Sequence, residues 1–231
     1  MKMEIKMKKI NPFTRINKNF PFLIEEKRNK IFEINFKLNY HHWLRLELYP
    51  EPYLGNPNAP IVLLNLNPGF SYEDLDWMEN FTYRKLNKKN LIHMNKDYPF
   101  YLLNPKLSSH PGYKWWSKKL KHLINKFGRK KVAQKIFVLE YIPYHSQKYS
   151  NKLDKIDFIS HRYNKILLKN ATKRGALIIL MRSFKKWENR YPFLKTYTNK
   201  CYLKNVQNPT ITEGNLKKSC YSKLVRIIEN R

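Results

Sequence analysis

The chain is poor in cysteine, acidic residues and glycine, and it has no long apolar run. Only two of its 231 residues are cysteines, Cys201 and Cys220. Two thiols are too few for a disulfide framework or a four-thiolate cluster, so free thiols in a reducing compartment are expected. The longest apolar runs, such as residues 176–181, fall far short of the ~20 residues that cross a bilayer. The basic N-terminus lacks an apolar core of signal length. A soluble, cytoplasmic protein without membrane attachment is the resulting expectation. No Gly-rich phosphate loop of either common type occurs, and no internal repeat. The pair His41-His42 has no acidic or thiol partner at a ligand spacing, so neither a metal nor an iron-sulfur cluster is expected, and no cofactor.

What is present is positive charge and aromatic surface. Lys and Arg number 46 against 17 Asp and Glu, giving a formal charge of +29 and a pI near 10.0. That balance calls for a polyanionic partner, nucleic acid first and an anionic membrane surface second. Aromatic residues make up 15% of the chain, with 16 Tyr and 13 Phe. The length suits one domain with a sizeable core.

The stretch Pro60-Ile61-Val62-Leu63-Leu64-Asn65-Leu66-Asn67-Pro68-Gly69 reads as a buried strand ending in a forced turn. Pro68 fixes its own φ and Gly69 permits positive φ. Residues 136–146 and 176–181 are two further core strands, the first carrying Glu140 near the end of its apolar run. Between them the spacing predicts helices over 114–127 with Gly128 as cap, 160–174 with Gly175 as cap, and 219–229. Ser71 and Asp74 suggest an imperfect capping box at the start of another helix. Residues 50–60, with four prolines, and 188–205 read as connections, and 206–216 as a polar loop. Strands alternating with helices predict an α/β fold with a central parallel sheet flanked by helices on both faces. Residues 1–50 read as a basic N-terminal extension packed on a core domain of residues 51–231. In such folds ligands bind at the carboxyl ends of the strands, which is where Asn67 is delivered.

Taken in order, these motifs resemble those of the uracil-DNA glycosylase superfamily. Asn65-Leu66-Asn67-Pro68-Gly69 is similar to the Gly-x-Asn-Pro-Gly turn of its mismatch-specific and single-strand-selective branches, with Asn65 in place of the first Gly. Phe100-Tyr101 resembles the aromatic position that stacks on the extruded base. Residues 137–143 resemble the strand that carries a base-reading Asn, here Glu140, and residues 178–183 the strand before the final motif. Asn208-Pro209-Thr210 resembles that last motif, whose loop probes the minor groove. The correspondences cover residues 60–216. They imply a monofunctional DNA glycosylase that flips out and excises a base from double- or single-stranded DNA; a monomer is expected. The member type implied is a divergent phage-defence enzyme that removes a modified cytosine.

By this resemblance Asn67 holds the attacking water, with Asn208 as the second candidate, and His145, at the same strand edge, is a further catalytic candidate that could protonate or steady the leaving base. Phe70, Phe100, Tyr101 and Glu140 contact the base, and Pro209, Thr210, Ile211, Arg182 and Lys185 contact DNA, Ile211 as an apolar wedge. An ionised Glu140 accepts hydrogen bonds only, which suits the N4 amine of cytosine and repels O4 of uracil. Each residue has a plainer reading. Glu140 pairs with Lys or Arg at the strand end, His145 is a structural histidine, Phe100 or Tyr101 is core, and Asn208 only turns the chain. The competing functions are a non-catalytic nucleic-acid-binding module on the same fold and an unrelated basic α/β protein.

Overall fold

A computed structural model describes residues 10–24 and 28–230. Parts of the expected N-terminal arm, residues 1–9 and 25–27, lie outside the described residues. Five strands form one sheet: β1 (Tyr53–Gly55), β2 (Ile61–Asn65), β3 (Ile136–Glu140), β4 (Leu177–Leu180) and β5 (Lys200–Tyr202), in the order β1-β3-β2-β4-β5. β3, β2, β4 and β5 run parallel. β1 pairs with β3 antiparallel, so the sheet is mixed rather than wholly parallel. The difference arises in the proline-rich segment expected to be a connection. Gly55 there sits at φ +104°, and a Cβ would lie 2.5 Å from the carbonyl oxygen of Ile136. Only glycine lets the edge strand approach β3 this closely. β5 was likewise hidden in an expected connection, being three residues long at a sheet edge.

The unbroken apolar runs serve two layers at once. Val62, Leu64, Phe137, Leu139, Ile178 and Leu180 face one core cluster, and Ile61, Leu63, Ile136, Val138, Leu177 and Ile179 the other. Side chains of period two on a doubly covered strand produce this division. Residues of the N-terminal segment join the first cluster through Phe13, Leu23, Ile31 and Leu44, all buried. The described residues contain ten α-helices. Those used below are α2 (Glu73–Trp77), α4 (Pro111–Lys119), α5 (Lys121–Phe127), α8 (Phe184–Arg190) and α10 (Lys218–Glu229). The helix expected over 114–127 is two helices, α4 and α5, broken at Leu120. Gly128 ends the second at φ 80°, as its position suggested.

Cys201 and Cys220 are joined in a disulfide that ties β5 to α10. The expectation of two free thiols is therefore corrected. Spacing along the chain gave no sign of it, because the pairing depends on α10 returning against the edge strand. Among the described residues no helix is long and apolar enough to cross a membrane, and no group of three or more His, Cys, Asp or Glu could hold a metal ion.

Candidate functional site

Connections leave β2 toward β3 on one side and β4 toward β5 on the other, so the strand order reverses between β2 and β4. Open α/β sheets form a crevice at the carboxyl ends of such a pair. A cleft of about 310 Å³ lies there, lined by residues that follow β2, β3 and β4 and by α4. Asn65, Asn67 and Phe70 come from the first strand and its turn, Glu140 and His145 from the second, and Arg182 from the third. Five of the candidate site residues thus line a single cleft, together with Asn65, which was quoted only as a motif position.

The Asn-Pro-Gly turn is held by the chain beside it. Ile142 N–H donates to Leu66 O at 2.9 Å and Ser146 N–H to Pro68 O at 3.2 Å, extending the β2–β3 pairing past the sheet. The Asn67 amide is oriented by this segment. Ser146 Oγ donates to Lys148 O at 3.0 Å, so it accepts from Asn67 Nδ2 at 2.9 Å. The same Nδ2 lies 2.9 Å from Pro68 O. Two acceptors thus fix the amide nitrogen and leave Oδ1 as the acceptor this side chain offers the cleft.

Register places Asn65 opposite Glu140. Asn65 Nδ2 donates to Glu140 Oε1 at 3.0 Å, and both residues are buried. No ion pair holds Glu140 among the described residues, so the plainer expectation of a Lys or Arg partner is not what the structure contains. Burial pushes the Glu140 carboxyl up to about 8, against the Asn65 hydrogen bond, which favours the ion. That direction favours the protonated carboxyl at neutral pH. Burial therefore runs against the expectation of an ionised, accept-only Glu140, since a carboxylate held at a strand end without an ion pair is costly. With Oε1 accepting from Asn65, the hydroxyl falls on Oε2.

His145 Nδ1 lies 2.7 Å from Gly69 O, which can only accept. The ring therefore carries its proton on Nδ1, and in the neutral ring Nε2 holds a lone pair rather than a proton to give. Nε2 is 4.0 Å from Glu51 Oε2, beyond hydrogen-bond reach. His110 is the mirror case. Its Nδ1 accepts from Gly112 N–H at 2.9 Å, which leaves Nε2–H pointing toward Asp74 Oδ1 at 3.8 Å. Burial holds this imidazole down to about 3, so it is neutral. Glu51 and Asp74 are both raised by burial, Glu51 also receiving the Tyr101 hydroxyl. Asn65 Oδ1, His110 Nε2, Glu140 Oε2 and His145 Nε2 are buried and lack hydrogen-bond partners. Buried polar atoms are nearly always paired in folded proteins, so several unpaired ones on one cleft mark a place built for something to complete them.

Other expected site residues lie elsewhere. Phe100 and Tyr101 are both fully buried in the second core cluster, away from the cleft lining. Tyr101 spends its hydroxyl on Glu51 and accepts from Asn87 Nδ2 at 2.9 Å. The aromatic wall of the cleft is instead Phe70, Trp115, Trp116 and Tyr149. Ile211 is fully buried and its N–H donates to Lys119 O at 2.9 Å, so it is not an exposed wedge. Val206, in the same loop, is exposed. Pro209 is buried, Thr210 half-buried and Lys185 exposed. Asn208 is exposed and outside the lining, its Oδ1 accepting from Lys119 Nζ at 2.6 Å.

Sequence reasoning missed Glu51, His110 and Ser146 and assigned no role to Asn65. Asp74 did carry a signal. Its Oδ2 accepts from Ser71 N–H at 2.7 Å, which is half of the capping box expected there, and the residue lines the cleft with Oδ1 3.8 Å from His110 Nε2. No family model, curated protein or solved structure matches this chain.

Proposed function

We propose that the protein is a monofunctional DNA glycosylase of uracil-DNA glycosylase-like fold that excises a modified cytosine-type base, with phage defence as its setting. The observation that carries this reading is the set of unpaired buried polar atoms around the cleft. Asn65 Oδ1 is an acceptor and Glu140 Oε2–H a donor, side by side at the strand ends. The Watson–Crick edge of cytosine offers the complement, an N4 amine that donates and an N3 that accepts. Reading a flipped base by such an edge suits enzymes that take a base out of the stack. The strongly positive chain supplies the attraction to DNA phosphates.

In this mechanism Asn67 Oδ1 holds a water against C1′ of the sugar. Asn67 is neutral and cannot deprotonate that water strongly, so its share is positioning. Glu140 gives the Oε2 proton to N3 as the C1′–N1 bond breaks, which neutralises the charge growing on the departing base. The water oxygen bonds C1′, and its released proton goes to His145 Nε2, the unpaired lone pair on the same lining. The products are an abasic sugar and the free base.

The test is an abasic-site assay on DNA carrying cytosine, hydroxymethylcytosine, glucosylated hydroxymethylcytosine or uracil, with strand breakage after alkali. Breakage on one modified cytosine, lost in Asn67→Ala, supports the reading. Tight binding without breakage on any substrate moves the protein to the binding module.

A further inference from the structure

We propose, resting on the reading of the cleft as a base pocket, that its outer rim is a stacking platform for the unpaired bases of single-stranded DNA. The rim is a continuous aromatic chain that starts inside the cleft. Phe70 lines the cleft and meets Tyr72 edge to face at 5.4 Å. Tyr72 and Tyr40 share a hydroxyl hydrogen bond of 2.6 Å, and Tyr40 meets Trp43 at 5.2 Å. Tyr40, Trp43 and Tyr72 are 42%, 38% and 55% exposed. Single exposed aromatics need no explanation, but three in contact at the mouth of a cleft form a patch.

The rings are also held in place. Arg45 lies 4.1 Å over the Phe70 ring and 5.4 Å over Tyr40, and is itself buried. Trp43 Nε1–H donates to Leu38 O at 3.0 Å. The segment that carries Tyr40 is fastened to the cleft wall, where His41 Nδ1 lies 2.7 Å from Gln147 Oε1. Rings fixed before binding lose little freedom when a base stacks on them.

Charge alone does not choose between DNA forms, because phosphates attract a basic protein in either. Exposed ring faces do choose. In a duplex each base face is covered by its neighbour, whereas in a single strand the faces are available to aromatic side chains. A strand whose central base enters the cleft leaves its neighbours at the rim, over Tyr72, Tyr40 and Trp43.

The test is binding of a fluorescently labelled, undamaged single-stranded 12-mer and of the same sequence as duplex, at matched salt, to the full chain. Trp43→Ala and Tyr72→Ala should each weaken single-strand binding by about tenfold and leave duplex binding within about twofold. Trp43→Phe and Tyr72→Phe should keep most of the affinity. Should an alanine variant fail to fold, quenching of tryptophan emission by the single strand in the wild type, reduced in Trp43→Phe, gives the same information. Unchanged single-strand affinity in the alanine variants, equal loss on both forms, or tighter binding of the same sequence as RNA would each overturn the proposal. Binding here is read without excision, so its failure leaves the base pocket standing, and absence of excision leaves the platform standing.

Discussion

Of the chain's five Asn-Pro dipeptides, the two that resemble site motifs, at 67–68 and 208–209, are treated differently by the fold. Asn67-Pro68-Gly69 follows the central strand β2 directly, so the sheet itself carries Asn67 to the carboxyl edge. The neighbouring chain at Ser146 then orients its amide and leaves a carbonyl oxygen for the cleft. Asn208-Pro209-Thr210 lies in a loop between β5 and α10, closed by the Cys201–Cys220 bridge. Its carboxamide oxygen is taken by Lys119, and Asn215 Nδ2 reaches back to Thr210 O at 2.8 Å. The same dipeptide is a cleft residue in one place and a loop fastener in the other. What separates them is the element that precedes each turn and whether the asparagine oxygen is already bound.

Asn67→Ala should break the comparison most visibly. It removes the acceptor proposed to hold the water and leaves the other lining residues in place. The expected loss is about 10³-fold in single-turnover abasic-site formation, the scale seen when a positioned polar group is removed from a reacting centre. The lost bond to Ser146 should cost only about 1 kcal/mol of stability, measured by chemical denaturation. Equal activity in Asn67→Ala would place the chemistry elsewhere.

Glu140→Gln sharpens the same side of the comparison with a smaller effect. Glutamine still donates and accepts, so base binding should survive, but it has no proton to transfer. A fall of about 10²-fold in the rate of bond cleavage with little change in substrate affinity is expected. The pH dependence follows from burial. Glu140 is raised to about 8 in the folded protein against ~4.3 when unfolded. The group therefore costs nothing below about pH 4 and lowers stability progressively as pH rises toward 8. Glu51 and Asp74, raised in the same direction, add to that slope. Cleavage should decline as pH passes about 8 while the Oε2 proton is lost, with Arg182 and Glu51 the charged groups acting on it. Glu140→Gln should remove that limb of the rate profile and flatten, without abolishing, the stability slope.

How far this site was legible in the sequence depended on whether a residue's role was set by its own strand. The three apolar runs gave β2, β3 and β4, and the turn after the first gave Asn67. Glu140 stood out as a carboxyl in an apolar run, but the upward push on it did not, because that comes from burial in the folded sheet and wins against the Asn65 hydrogen bond across it. Phe100-Tyr101 misled for a related reason. An aromatic pair before a turn looks the same whether it lines a cleft or fills a core, and here Tyr83 and Trp116 pack against it. His110 and Glu51 sit beside prolines in segments that read as loops, and only the closing of α4 and the edge strand onto β3 brings them to the cleft. The Cys201–Cys220 bridge was invisible for the same geometric reason.

The smallest expected effect belongs to Asn208. If the second turn shared the work of the first, Asn208→Ala would lose activity on the scale of Asn67→Ala. The arrangement predicts otherwise. Asn208 is exposed, it is absent from the cleft lining, and its oxygen neutralises part of the cost of burying Lys119, whose amine burial pushes below its ordinary value. Removing that oxygen costs the Lys119 amine one hydrogen bond and leaves the cleft lining untouched. Abasic-site formation should change by about twofold at most, the range of a surface substitution. Binding of duplex DNA should change as little. A large loss in Asn208→Ala at unchanged stability would mean that the loop closes over the cleft when DNA is bound, and the two turns would then be partners in one site rather than opposites.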